Sequence, residues 1–143
     1  ALDWVCVEGD DYHPATNIEK MVRGEALDDR DRAAWLEHLH RRIVELDRQG
    51  ASAVVACSAL KGSYRNMLAE DVSDMRFVFL RGSEEAIARR LRRRRGHFMP
   101  PALLESQLAA LEPPPDAIMV PIEMTTEAQA ENVIQTIRGE LHR

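Results

Sequence analysis

Residues 53–65 read Ala-Val-Val-Ala-Cys-Ser-Ala-Leu-Lys-Gly-Ser-Tyr-Arg, and the fold class follows from this stretch. A short apolar run ends at Cys57 and passes directly into a helical pattern, as a buried parallel strand does where it joins its following helix. The same alternation recurs along the chain, with strands predicted at 4–7, 53–57, 76–80 and 117–120. The sequence therefore predicts an α/β protein, a three-layer sandwich with helices on both faces of a parallel sheet.

The helices are marked by residues that favour helix ends. Apolar residues from Trp35 to Leu46 recur at helical spacing, and Gly50 ends this segment. Two glutamates in a first turn and a proline at a first helical position mark further starts. The four predicted starts are Asp28, Ser83, Pro101 and Thr126, the last in a capping box with Gln129.

The composition is typical of a single soluble globular domain over residues 1–143. The chain is 45% hydrophobic and 30% charged, and its 143 residues suffice to bury a core. No apolar stretch approaches the roughly 20 residues that span a bilayer. Acidic residues such as Asp3 and Glu8 interrupt the segment where a signal peptide would be apolar. We therefore expect a cytoplasmic protein with no membrane partner.

Charge and cysteine content exclude further classes of function. The net charge of −5 argues against a general nucleic-acid binder. Cys6 and Cys57 both lie in apolar runs, so we expect buried, reduced thiols that behave as small hydrophobic side chains. No third or fourth ligand stands at metal spacing, and no protein metal site is predicted.

A first candidate site, Glu8-Gly9-Asp10-Asp11-Tyr12-His13-Pro14, directly follows the first predicted strand. In an open parallel sheet, ligands bind at the carboxyl ends of the strands. A carboxylate there can accept a proton from a substrate hydroxyl, or hold a hydroxyl or a hydrated magnesium ion. The same residues also fit an acidic turn that caps the next helix, and an isolated histidine such as His13 is more often structural.

A second candidate site follows the strand at 53–57. Ser58, Lys61 and Arg65 place a hydroxyl, an ammonium and a guanidinium within eight residues. A helix N-terminus with lysine and arginine nearby attracts anions, so a carboxylate or phosphate ligand is reasonable here. Taken alone, the pattern is more typical of an ordinary strand-to-helix turn.

A run of basic residues from Arg89 to Arg95 precedes the loop Gly96-His97-Phe98-Met99-Pro100-Pro101. Cations are favoured at a helix C-terminus, so part of the run compensates the helix dipole. The functional interpretation is a mobile lid near 92–102 that lowers arginines onto the phosphates of a nucleotide. A nucleic-acid patch is a third interpretation, which the acidic remainder of the chain disfavours.

Together these segments resemble the gluconokinase family, in the shikimate-kinase-like branch of the P-loop fold of nucleoside monophosphate kinases. The resemblance covers most of the chain, and the motifs stand in the family's order at about its separations. The matching residues are 8–14 with Asn17, Ile18, Lys20 and Met21; 27–32 with Trp35 and Leu36; 57–61 with Tyr64 and Arg65; and 96–100 with Leu103, Leu104, Ser106, Gln107 and 111–113.

The resemblance implies transfer of the γ-phosphoryl group of ATP to the 6-hydroxyl of D-gluconate, with Mg2+. It implies that Asp10 is the catalytic carboxylate, which orients or deprotonates that hydroxyl. A homodimer is expected, since family members are often dimers. The implied substrate contacts are His13, Ser58, Lys61 and Arg65, and the implied nucleotide contacts before the lid are Arg90 and Arg94.

The chain departs from the family pattern at the phosphate-binding loop. A family member begins with a strand, a Gly-x-x-Gly-x-Gly-Lys-Ser/Thr loop and a helix, but none of the seven glycines here precedes a Lys-Ser or Lys-Thr pair. The amide donors, the phosphate lysine and the magnesium hydroxyl of that loop are therefore missing from these 143 residues. We expect the sheet to lack its central strand, between those at 53–57 and 76–80, and the fold to lack its first helix.

Three hypotheses follow. In the first, the chain is a gluconokinase sequence without its N-terminal segment and is inactive alone, which the initial Ala1 in place of Met favours. In the second, it is a relative without kinase activity that binds a sugar acid or a protein. In the third, it is a kinase for another small polyol or acid, with the phosphate loop supplied by another chain.

We expect Asp10, Lys61 and Arg65 to converge on one cleft at the carboxyl ends of the strands.

Overall fold

The computed structural model describes residues 2–94 and 100–142. These residues form two compact units, 2–75 with 100–112 and 76–94 with 113–142. The elements in chain order are β1 (Val5–Glu8), a 3-10 helix (Gly9–Tyr12), α1 (Ala15–Val22), α2 (Asp29–Arg48), β2 (Ala53–Ala56), α3 (Gly62–Ala69), β3 (Val78–Arg81), α4 (Glu84–Arg93), α5 (Pro101–Ala110), β4 (Ile118–Pro121) and α6 (Thr126–Leu141).

The strands pair in parallel, as the sequence predicts. In the first unit β1 pairs with β2, with Val7 opposite Val55. In the second unit β3 pairs with β4, with Phe79 opposite Met119. The strands of the described residues thus form two separate two-stranded sheets. The α/β class is confirmed, and every strand begins and ends within two residues of its predicted bounds.

The core of the first unit is built on α2. Its apolar residues recur every three or four positions and so lie on one helical face, which packs with Val7 of β1 and Leu68 of α3. Leu39 is fully buried at the centre of this face. The other buried side chains of the same face are Trp35, Leu36, Ile43 and Leu46.

The ends of α2 confirm the predicted signals. The Asp28 carboxylate accepts a hydrogen bond from the Asp31 amide at 2.8 Å, and the Asp31 carboxylate accepts one from the Asp28 amide at 3.1 Å. Gly50 follows the helix with φ at +69°, a conformation that glycine adopts without steric cost. None of the helices that the structure describes is long and apolar enough to cross a membrane.

In the second unit, the cap of α6 differs from the predicted one. The Oγ1 atom of Thr125, not of Thr126, accepts the hydrogen bond that caps α6, from the Ala128 amide at 3.2 Å. Gln129 does not complete a capping box, because its buried side-chain amide donates instead to the carbonyl of Pro121 at 3.1 Å. The cap therefore lies one residue earlier than the sequence predicts.

The two cysteines are free thiols, and the predicted burial is met only in part, at Cys57. Cys57 is half-buried, and burial together with nearby carboxylates raises the pKa of its thiol to about 11. Cys6 is exposed, so its predicted burial is wrong. It lies opposite Val54, which is also exposed, whereas Val7 and Val55 on the other face pack in the core. Within the described residues, one face of the β1–β2 pair is therefore uncovered.

Candidate active site

The chain leaves β1 in a tight turn that carries Asp10. Gly9 makes the turn possible, because a Cβ atom there would lie 2.3 Å from the carbonyl oxygen of Ala56 on β2. On the other side, the indole Nε1 of Trp35 donates to the Gly9 carbonyl at 2.8 Å. The turn is thus held between β2 and α2, and these contacts fix the backbone position of Asp10.

His13 is fixed in place by an aromatic stack and a hydrogen bond. Its ring stacks on Trp35 with a centroid distance of 4.3 Å. The Asn17 amide nitrogen donates to His13 Nδ1 at 3.2 Å and to the Asp31 carbonyl at 2.9 Å. Because Nδ1 accepts, the neutral imidazole carries its proton on Nε2, which lies 3.8 Å from Asp10 Oδ1.

Burial determines the protonation state of His13. The His13 side chain is 4% exposed and the Asp10 side chain is 61% exposed. Burial lowers the pKa of His13, Asp10 opposes that shift, and the positive charge of Arg32 adds to it. At neutral pH His13 is therefore a neutral hydrogen-bond donor beside an exposed carboxylate.

In the loop after β2, Lys61 stands immediately before α3 and pairs with Asp29. Its Nζ atom donates to Asp29 Oδ1 at 2.9 Å, and the Tyr64 hydroxyl donates to the same oxygen. The bond from Tyr64 and then that from Lys61 lower the pKa of Asp29, while the bond to Asp29 raises the pKa of Lys61. Both groups of this pair are therefore charged at neutral pH.

Arg32 contacts the second of these groups and acts on His13 in the first through its charge. It is buried on α2, and its Nη1 atom donates to the Tyr64 hydroxyl at 3.4 Å. It also contributes to the pKa values of both His13 and Lys61. We call the connected side chains the polar cluster, which comprises Asp10, His13, Asp29, Arg32, Lys61 and Tyr64.

Sequence reasoning assigned no role to Arg32. A signal was present, because position 32 lies three residues before Trp35 and four before Leu36, in line with the apolar face of α2. An arginine on an apolar helical face indicates a buried cation. Asp29 and Tyr64 lie in the motifs matched to the family but were given no role, because their hydrogen bond joins residues 35 apart in the sequence.

The Arg65 guanidinium is hydrogen-bonded to backbone carbonyls. It is 9% exposed, and its guanidinium donates to the carbonyls of Ala59 at 2.8 Å, Leu60 at 3.2 Å and Glu112 at 2.8 Å. This side chain is therefore not part of the polar cluster, and its predicted convergence with Asp10 and Lys61 on one cleft stays a prediction. A substrate contact by Arg65 stays a prediction, as does one by Ser58, which is exposed in the same loop.

Glu112, just after α5, holds the loop that carries Lys61. Its amide donates to the Leu60 carbonyl at 2.8 Å, and its carboxylate accepts from the Gly62 amide at 2.8 Å. Just before Leu60, Ala59 has φ at +34°, a conformation that residues with a side chain rarely adopt. These contacts hold a strained loop in one shape.

The predicted nucleotide contacts lie in the second unit. Arg90 donates to the Ile122 carbonyl at 2.6 Å, and Arg94 is exposed at the end of α4. The motif from Gly96 to Met99 lies outside the described residues. The lid near 92–102 and the nucleotide contacts therefore stay predictions.

Residues 2–94 and 100–142 do not by themselves form a site for a nucleoside triphosphate and its magnesium ion. In the part of the chain that the structure describes, no three histidine, cysteine, aspartate or glutamate side chains are placed to hold a metal ion. The sequence also has no glycine-rich phosphate loop. What the polar cluster offers is one exposed carboxylate, a neutral imidazole and two cations.

Similar curated proteins are gluconokinases. A gluconokinase of Gluconobacter oxydans (strain 621H) is 44% identical over 142 residues, which cover 97% of this chain and 80% of that protein. The chain belongs to the gluconokinase family. A probable gluconokinase of Xenopus tropicalis is 40% identical over 159 residues, with 99% of this chain and 82% of that protein covered. This family member thus spans about four fifths of the length of these relatives.

A solved structure agrees with this assignment. The crystal structure of a gluconokinase from Sinorhizobium meliloti 1021 matches this gluconokinase-family chain with a TM-score of 0.84 and 36% identity, over 97% of this chain and 81% of that one. The fold that the resemblance implied is confirmed, and so is the enzyme class, a kinase of the gluconokinase type. No family model matches the sequence.

Proposed function

We propose that this chain carries the acceptor-substrate part of a gluconokinase, which transfers the γ-phosphoryl group of ATP to the 6-hydroxyl of D-gluconate. The observation that carries the proposal is the polar cluster, in which Asp10 follows β1 and Lys61 follows β2. Ligands of parallel sheets bind at this end of the strands. The 44% identity to the Gluconobacter oxydans gluconokinase supports gluconate as the acceptor.

Each side chain has a role suited to its surroundings. Asp10 is the exposed carboxylate that orients the acceptor hydroxyl and accepts its proton. His13 donates from Nε2 to a substrate oxygen, since its other nitrogen is taken by Asn17. Lys61 offsets negative charge on the transferring group, and phosphoryl transfer depends mainly on such positioning and electrostatics.

These residues supply only part of the phosphoryl-donor side of the reaction. We assign Arg90 and Arg94 to the nucleotide, and Ser58 and Arg65 to the substrate loop. ATP with Mg2+ supplies the phosphoryl group when bound, but the phosphate loop that would hold it is not among the 143 residues. We therefore propose that the chain binds gluconate and has no kinase turnover on its own. A cytoplasmic location and a homodimer stay predictions.

The test compares the chain alone with a fusion. A strand, phosphate loop and helix from a curated gluconokinase are joined ahead of Ala1, and formation of 6-phosphogluconate is measured with ATP and Mg2+. The chain alone should show no turnover above background, and the fusion should phosphorylate gluconate. Turnover by the chain alone at ordinary kinase rates would refute its inactivity. A folded fusion that binds gluconate without phosphorylating it would favour a non-catalytic sugar-acid binder.

The fusion also tests the role of Asp10. Asp10→Asn should lower turnover about 10²- to 10⁴-fold, the usual contribution of a general base. Asp11→Asn is the matched control, because Asp11 is an exposed carboxylate in the same 3-10 helix. Equal effects of the two substitutions would remove Asp10 from the catalytic role.

A further inference from the structure

The first unit contains two buried arginines with very different surroundings. Arg65 is 9% exposed and donates to three backbone carbonyls. Arg32 is 8% exposed, and its hydrogen-bond partner is the Tyr64 hydroxyl at 3.4 Å. Among the described residues, no carboxylate lies within the 4.0 Å of an ion pair with Arg32.

A largely buried guanidinium without an ion-pair partner is costly, although the Arg32 nitrogens that lack a protein partner keep some contact with solvent. Removing a cation from water costs several kcal/mol in proteins unless an opposite charge or several acceptors compensate. The carboxylate that contributes to its surroundings, Asp29, is already bonded to Lys61 and Tyr64. The contact of Arg32 with the Tyr64 ring, at 5.8 Å to the centroid, compensates only in part. Arg32 therefore has unused capacity to bind an anion.

The position of Arg32 determines which anion fits. It lies in the second turn of a 20-residue helix, where its Nη1 atom contacts the Tyr64 hydroxyl and its charge acts on His13. A guanidinium held on a rigid element presents a planar pair of donors, which matches the two oxygens of a carboxylate. The carboxylate is also the group that distinguishes a sugar acid from an uncharged polyol of the same length.

We propose that Arg32 binds the carboxylate of the acceptor substrate and so sets the preference of the site for sugar acids over neutral polyols. The inference rests on the proposed function and adds its specificity determinant. It transfers to Arg32 the carboxylate contact that the sequence suggested for Lys61 and Arg65, and it leaves Lys61 for the transferring group.

The experiment measures binding of D-gluconate and of D-glucitol, its uncharged analogue, to the 143-residue chain by calorimetry. The unmodified chain should prefer gluconate. Arg32→Met should weaken gluconate binding about 10- to 100-fold, the usual worth of a charged hydrogen bond, and leave glucitol binding nearly unchanged. Arg32→Lys should fall between the two, since an ammonium keeps the charge and lacks the planar fork. Arg30→Met is the matched control, because Arg30 is exposed on the same helix.

Urea unfolding without ligand separates this role from a structural one. If Arg32 is an unpaired buried cation, Arg32→Met should be at least as stable as the unmodified chain. A variant that unfolds more easily, or loses both ligands equally, would make Arg32 a structural residue and overturn the proposal. Retained preference for gluconate in Arg32→Met would overturn it too, without affecting the proposed function. An unmodified chain that binds neither ligand would overturn both.

Discussion

The state of His13 couples the site to pH. Burial lowers the pKa of His13 below its ordinary value of 6.5, so the unfolded chain takes up a proton at a higher pH than the folded one. The contribution of this residue to stability is present above pH 6.5 and is lost as the pH falls towards the folded pKa. The neutral imidazole and the folded site are therefore favoured by the same conditions.

We predict that unfolding free energy decreases between pH 7 and pH 5, and that His13→Gln removes part of this decrease. Urea denaturation at several pH values measures it, and an NMR titration of the His13 ring should give a midpoint below 6.5. His38→Gln serves as the control, because His38 is an exposed residue of α2. A midpoint above 6.5 for His13 would show that Asp10, and not burial, dominates its environment.

At the scale of elements, α3 is capped from a distant part of the chain. Lys61 stands at the N-cap position and provides no side-chain cap, while the Gly62 amide donates to the carboxylate of Glu112, 50 residues away. We predict that Glu112→Ala lowers the unfolding free energy by about 1 kcal/mol, the usual value of a lost cap. Glu112→Gln keeps an acceptor oxygen and should lose less.

Hydrogen exchange of the Gly62 amide gives a local measurement of the same bond. Exchange should accelerate in Glu112→Ala and much less in Glu112→Gln. If both variants protect Gly62 as the unmodified chain does, the carboxylate contributes nothing to this cap. The backbone contacts of residue 112 would then hold the loop without it.

The elements that the sequence predicts well are those with local signals. Asp28 and Gly50 mark the ends of α2 within a few residues of it, and alternating apolar runs mark the strands. The direction of Arg65 could not be predicted, because the carbonyl of Glu112 that it binds is 47 residues away. The exposure of Cys6 was missed for a related reason: an apolar run does not tell which face of a strand is covered.

At the scale of the whole molecule, several strand residues have apolar side chains that are exposed to solvent. In the first unit Val54 is 53% exposed, and in the second unit Leu80 is 51% exposed and Met119 is 44% exposed. Exposed apolar strands favour association between chains, because they offer backbone donors and apolar surface together. The isolated chain should therefore self-associate as its concentration rises.

We predict that Val54→Thr reduces this association, since threonine keeps the branched shape favoured in strands and replaces a methyl group by a hydroxyl. The matched control is Val22→Thr, because Val22 is 56% exposed at the end of α1, outside any strand. Static light scattering over a concentration series measures the difference. Equal effects of the two substitutions would mean that strand exposure does not drive association.

The close approach of Gly9 to Ala56 has a consequence for laboratory evolution of new acceptor preferences. Any amino acid other than glycine at position 9 would place a Cβ atom 2.3 Å from the carbonyl oxygen of Ala56. Substitutions at this position therefore displace the turn and do not create new pockets. Positions 13 and 32 are the productive targets for randomisation, because their side chains belong to the polar cluster. A mutant library that keeps Gly9 constant should therefore contain a higher fraction of folded, screenable variants than one that varies it.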